Sequence, residues 1–129
     1  MRYSLTFLAA VLIFSLGGLS ASQTPVKKTP QLLKQGKTLF EKYCAGCHGI
    51  QGDGGGQLGR ILKPPASDFT KPFAQWEFSK GDIKRVFSAI TNGVPKTAMA
   101  KFRLSDEERW ALAYEVVEFS KPSEKSPSK

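Results

Sequence analysis

The pentapeptide Cys44-Ala45-Gly46-Cys47-His48 lies between two very different kinds of sequence. Before it, from Gln31 to Tyr43, the residues Leu32, Leu33, Gly36, Leu39, Phe40 and Tyr43 recur at helical intervals. Lys34, Gln35, Lys37 and Lys42 fall mostly on the opposite side, so this segment is predicted to be an amphipathic helix. After the pentapeptide, Gly49 to about Phe78 is rich in glycine and contains Pro64, Pro65 and Pro72, which interrupt helix and strand alike. The pentapeptide therefore follows directly on a helix. Its two thiols fall one turn apart, with an imidazole next to the second.

Two thiols at that spacing can reach both vinyl groups on one side of a porphyrin as thioethers, and the adjacent imidazole can then meet the iron. This is the spacing of c-type haem attachment. A redox-active dithiol shares it, but expects a preceding strand in a βαβ setting, and here a helix precedes. A zinc site would need a fourth ligand from a chain with only two Cys and one His. One covalent haem c on Cys44 and Cys47, with His48 on the iron, is the expected cofactor.

The second axial ligand cannot be another histidine from this chain. Met99 is the only methionine beyond Met1, and it lies in the loop Gly93-Val94-Pro95-Lys96-Thr97-Ala98-Met99. Most methionines fill cores, but such residues lie on an apolar helical stripe and Met99 does not. A thioether opposite His is the ligand pair of electron-transfer haems, so Met99 is the expected sixth ligand. With both axial positions filled, the iron has no open site for substrate. Electron transfer is then expected rather than catalysis.

The chain has 129 residues, enough for one domain. Arg2, the apolar run Leu5 to Leu19 and the small residues up to Ser22 read as a signal peptide over 1–22, with Gln23 the first mature residue. The alternative is an uncleaved membrane anchor with the domain facing the periplasm; the run is shorter than the ~20 residues that span a bilayer. Periplasmic location is expected, with no stable membrane span once the peptide is removed. Without Arg2 the chain keeps 18 basic and 11 acidic residues, a formal +7. Export and the lack of a basic run interleaved with aromatics exclude nucleic acid, leaving redox proteins with acidic docking surfaces as expected partners.

Residues 23–30 are polar, hold two prolines and read as a flexible linker ahead of a domain over 31–120. Gly36 costs the first helix about 1 kcal/mol relative to Ala, a cost explained if another helix crosses closely there. A second helix is predicted from Gly81 to Thr91, where Ile83, Val86, Phe87 and Ile90 form the apolar stripe and Asn92-Gly93 the stop. The last helix is predicted to start at Ser105, which forms a capping-box pattern with Glu108, and to bury Trp110, Ala113, Tyr114 and Val117. Pro122 would end it, leaving 121–129 as a disordered tail. Gly54 to Gly56 is no phosphate loop, because no strand precedes it and no Gly-Lys-Ser/Thr follows.

From Leu33 to Phe119 the chain resembles class I c-type cytochromes of the bacterial monohaem kind. The resemblance rests on Gly36 and Phe40, the Cys44-to-His48 motif, Met99, and Trp110 with Tyr114. The stretch Leu62-Lys63-Pro64-Pro65-Ala66-Ser67-Asp68-Phe69-Thr70 also resembles a loop of oxidase-associated periplasmic cytochrome domains. Ala100 departs from the family, in which proline commonly follows the methionine. The resemblance implies an all-α cytochrome c fold, three to four helices and long loops wrapped around one covalent haem. It implies first and last helices crossing almost at right angles at the glycine. It also implies a carbonyl from Pro64 or Pro65 accepting the His48 N–H, and Arg60 and Trp76 meeting the haem propionates.

Overall fold

A computed structural model describes residues 24–122. The expected signal peptide and residues 123–129 of the expected tail lie outside the described residues. The described chain contains four α-helices: α1 (Pro30–Tyr43), α2 (Ala45–His48), α3 (Ile83–Asn92) and α4 (Asp106–Glu118). A short 3-10 turn, Phe73–Gln75, interrupts the long loop between α2 and α3. Among the described residues there is no strand, and the all-α expectation holds.

Each long helix starts where its sequence can cap it. Thr29 accepts the Leu32 N–H at 3.1 Å, and Pro30 fills a first-turn position where its missing N–H costs nothing. Asp82 accepts the Lys84 N–H at 2.8 Å, which starts α3 two residues later than predicted. Before α4 the capping box is complete: Ser105 Oγ accepts the Glu108 N–H at 3.2 Å, and Glu108 accepts the Ser105 N–H at 2.8 Å. The Ser105 N–H also holds the Glu108 carboxyl below its usual range. Gly93, at φ 73°, ends α3.

The helices pack around one aromatic core. Leu32, Gly36 and Phe40 line the buried face of α1 at intervals of four residues. Trp110 is fully buried and stacks on Phe87 of α3 at 4.4 Å, while Phe40 meets Phe119 at 4.8 Å. α4 buries more than the predicted face: Ala111, Leu112 and Val116 are buried, and Tyr114 and Val117 only partly so. The reason is its position, since it packs against both α1 and α3.

The segment expected to be a flexible linker is instead a strap from residue 24 onward. Val26 packs against the core, and its carbonyl accepts the Tyr114 hydroxyl at 2.8 Å. Lys28 pairs with Glu118 and lies 5.8 Å from the centre of the Tyr114 ring. The partly buried phenol needs an acceptor, and the strap supplies one. At the other end, Lys121 is salt-bridged to Glu118 at 2.7 Å, so the expected tail is held to α4 at its first residue.

Gly36 is where α1 and α4 touch. A Cβ at Gly36 would collide with the Ala111 carbonyl group, its carbon 2.7 Å away, and approach Glu115 Cβ at 3.0 Å. Gly36→Ala should therefore destabilise the protein. The ~1 kcal/mol gained in helix propensity is outweighed by overpacking, for a net loss of about 1–2 kcal/mol. Chemical denaturation of the two proteins checks this; a midpoint at or above the wild type's would mean the helices do not meet at Gly36.

Candidate haem-binding site

Cys44 ends α1 and opens α2. Its N–H donates to the Phe40 carbonyl at 2.8 Å, and its own carbonyl accepts from Cys47 at 3.1 Å and from His48 at 2.9 Å. The two sulfurs are thus carried on one turn and are not joined to each other. Burial, with a smaller contribution from Cys47, pushes the Cys44 thiol up to about 12. Redox-active CxxC pairs need a lowered thiol pKa, so Cys44 is poorly suited to dithiol exchange.

The glycine-rich loop after α2 presses its backbone directly on the motif. Leu58 donates its N–H to the Gly46 carbonyl at 3.1 Å, and Gly54 donates to the His48 carbonyl at 2.8 Å. A Cβ at Gly59 would collide with the Cys47 carbonyl and lie 2.7 Å from the Gly54 carbonyl. A Cβ at Gly56 would lie 2.7 Å from the Ala45 carbonyl. These glycines are absences of side chain that allow backbone contact. Two apolar side chains of the same loop stay uncovered by protein: Leu58 is 54% exposed and Ile61 74%.

His48 is buried, and burial lowers its pKa, which favours the neutral imidazole. Its Nδ1 lies 3.1 Å from the Ser67 carbonyl, which fixes Nδ1 as the donor and leaves the Nε2 lone pair for a metal. The family resemblance implied Pro64 or Pro65 here, and that expectation is corrected: both prolines are exposed. Two anchors explain the choice of Ser67. Ala66 donates to the Gly59 carbonyl at 3.4 Å and Phe69 to the Gly52 carbonyl at 2.7 Å, which hold the chain between them against the imidazole. Phe69 then stacks on the His48 ring at 4.4 Å.

Trp76 also departs from its expected role. It is buried, and its indole N–H donates to the Lys71 carbonyl at 2.8 Å, leaving no N–H for a propionate. It packs instead on Phe69 at 4.9 Å and on Phe73 at 4.8 Å. Arg60 is exposed on the glycine-rich loop. Neither Ser67 nor Phe69 could be singled out in the sequence. A backbone carbonyl has no side-chain signature, and one phenylalanine in an irregular loop has no periodicity.

Met99 lies half-buried in a closed loop at the end of α3. Its N–H donates to Thr97 Oγ1 at 3.1 Å, and its carbonyl accepts from Val94 at 3.1 Å. Thr97 Oγ1 donates in turn to the Val94 carbonyl at 2.8 Å, so Thr97 closes the turn without a proline at position 100. Phe102 donates to the Ile90 carbonyl at 3.0 Å and its ring lies 6.1 Å from that of Tyr43. The Met99 loop is thereby tied to the residue just before Cys44. Lys42, Lys96, Lys101 and Arg103, all exposed, belong to these two joined segments.

The donor set fits a c-type haem: two thiols one turn apart, an imidazole bonded at Nδ1 with Nε2 left as ligand nitrogen, and uncovered apolar side chains on the loop that seats on the motif. A family model described as cytochrome c oxidase, cbb3-type, subunit III matches residues 31–114. The chain belongs to this family of c-type cytochrome domains. The matched span contains Cys44, Cys47, His48 and Met99. Haem-based electron transfer is the activity of such a domain. A solved structure, the reducing HAO-like protein complex Kustc0457/Kustc0458 of Kuenenia stuttgartiensis, is similar at 28% identity and a TM-score of 0.67. The match covers 76% of this chain and 48% of that one, so the chain spans about half the length of that relative. No match is found among curated proteins.

The loop contact generates a paired prediction. Gly59→Ala should lower the haem content per chain and the unfolding midpoint, because the loop must lift off the Cys47 carbonyl. Gly46→Ala, inside the motif, should leave both near wild type, since a Cβ there meets nothing within 4 Å. Haem absorbance per mole of protein and thermal melts check the pair; equal behaviour of the two variants would refute the contact.

Proposed function

We propose that this chain is an exported, periplasmic electron carrier holding one haem c, attached through Cys44 and Cys47, with His48 and Met99 as axial ligands. The observation that carries the reading is the CxxCH turn whose imidazole is already bonded through Nδ1, with the Met99 loop tied alongside it. The haem supplies one-electron exchange between Fe(III) and Fe(II). The chain's residues do the rest. His48 is held in one tautomer by Ser67, Met99 comes from a loop closed by Thr97, and the packed core limits rearrangement between oxidation states. With both axial positions filled there is no place for substrate, so the protein is read as a carrier and not an enzyme. Arg60 is the candidate left, of the two named from the sequence, for a propionate.

Export is supported by the Arg2 and Leu5-to-Leu19 pattern, which gives the expected signal peptide. Among the described residues no helix is long and apolar enough to cross a membrane. Redox protein partners are supported by the solved relative, a protein complex. Acidic docking surfaces on them would suit Lys42, Lys96, Lys101 and Arg103, which flank the junction of α1 with the Met99 loop.

The proposal is tested through the attachment of the haem, its axial ligation and its exchange with a partner. The purified protein should give the alkaline pyridine spectrum of one haem c per chain, and the haem should resist extraction; extractable haem, or none, would refute covalent attachment. Reduced wild-type protein should bind carbon monoxide slowly or not at all. Met99→Ala should bind it rapidly and show a lower reduction potential, because the thioether favours the ferrous state. Rapid, full binding by the wild type would instead fit a gas-binding or sensor haem.

The electron-transfer rate with an acidic partner should fall as ionic strength rises and the Debye length shrinks from about 30 Å at 0.01 M to about 10 Å at 0.1 M. A flat salt profile would remove the steering role of the four basic residues.

A further inference from the structure

The hydrogen bond between His48 and Ser67 holds the imidazole at one atom of its edge. The axis from Nε2 through an imidazole passes between Nδ1 and Cγ, so Nδ1–H points obliquely off it. A bond at Nδ1 therefore resists rotation about the axis along which Nε2 would meet a metal, but through a single contact. A second contact that acts on the face of the ring would hold the plane more firmly. The Phe69 ring lies against the imidazole with centroids 4.4 Å apart and planes 21° from parallel. A stacked face resists rotation directly, because turning the imidazole drives its edge into the neighbouring ring.

Phe69 is itself held on both sides. Its N–H donates to the Gly52 carbonyl at 2.7 Å, in the loop that seats on α2. Its ring rests on buried Trp76 at 4.9 Å, and Phe73 meets Trp76 edge-on at 4.8 Å. Trp76 is pinned in turn by its N–H donated to the Lys71 carbonyl at 2.8 Å. Phe69, Trp76 and Phe73 form a braced series of rings ending on the imidazole. Simple core filling would not need a near-parallel ring on a group already satisfied by its hydrogen bond.

We propose that Phe69 is a positioning residue that, together with the Ser67 hydrogen bond, sets the plane of the His48 imidazole about its Nε2 axis. This inference rests on the haem reading above. The imidazole plane decides how ligand π orbitals align with the iron d orbitals, so its orientation is written in the ferric spectrum. The role is distinct from axial ligation and from haem attachment, which Phe69 does not touch.

The test uses the full haem-loaded protein with Phe69→Leu, which keeps apolar bulk but removes the flat face, and Phe69→Tyr, which keeps the ring. Haem content is measured first. Absence of covalent haem from the wild type would overturn the underlying reading rather than the role of Phe69. In loaded protein, F69L should show a shifted or broadened set of ferric EPR g values and an altered spread of paramagnetically shifted haem methyl signals. F69Y should reproduce the wild-type pattern. A fully loaded F69L with the wild-type EPR and methyl spread would overturn the proposal, as would an F69Y that changes as much as F69L. If F69L does not load haem, the ferrous wild type decides. Nuclear Overhauser contacts between the Phe69 and His48 ring protons are expected, and their absence would overturn the stack.

Discussion

The fold depends first on how closely α1 approaches α4. At Gly36 the α1 backbone lies against the Ala111 carbonyl, a distance no other residue type allows without moving one helix. That contact sets where the far end of α1 points. Four residues on, Phe40 is buried against Phe119, and one turn later Cys44 begins the CxxCH turn. Moving the crossing outward by the width of a methyl group would shift the motif relative to α3 and the Met99 loop. The propensity cost of a mid-helix glycine, about 1 kcal/mol, is offset by this geometry.

A second close approach carries the site forward. The loop after α2 has no regular structure, yet its course is fixed by hydrogen bonds from Gly54 and Leu58 to the motif and by glycines that clear the Cys47 and Ala45 carbonyls. Through Gly52 and Gly59 the same loop holds residues 66–69, and these meet His48 with a carbonyl and a ring. The chain from crossing to motif to loop to imidazole is therefore a series of backbone contacts. Side chains decide the chemistry at its end; missing side chains decide its path.

That division explains what the sequence could reveal. α1 and α3 are legible as apolar stripes, and α4 announces its start through Ser105 and Glu108, because local periodicity and capping act within a few residues. The motif and Met99 are legible because thiols, imidazole and thioether are scarce and chemically distinct. The strap has no local signature, because its partner, the Tyr114 hydroxyl, is 88 residues from Val26 in sequence. For the His48 acceptor, family resemblance points only to a loop, whereas hydrogen bonds at Ala66 and Phe69 decide which carbonyl faces the ring. The wider buried face of α4 needed knowledge of two neighbours, and a single helical pattern describes only one.

The two sides of the candidate site are held by different means, and the difference suits the two proposed ligands. An imidazole is flat and can rotate, so it needs a contact with a plane as well as a point; the Ser67 carbonyl and the Phe69 ring supply these. A thioether has no plane to fix, but its flexible stem makes backbone placement decisive. On the Met99 side the constraint is accordingly in the main chain, where Thr97 and Val94 close the turn and Phe102 ties it to α3 and Tyr43. In the proposed role, an electron carrier gains and loses an electron without rearranging, and stiffness at both proposed ligands serves that. The aromatic brace on one side and the closed turn on the other provide it from segments that have no regular secondary structure.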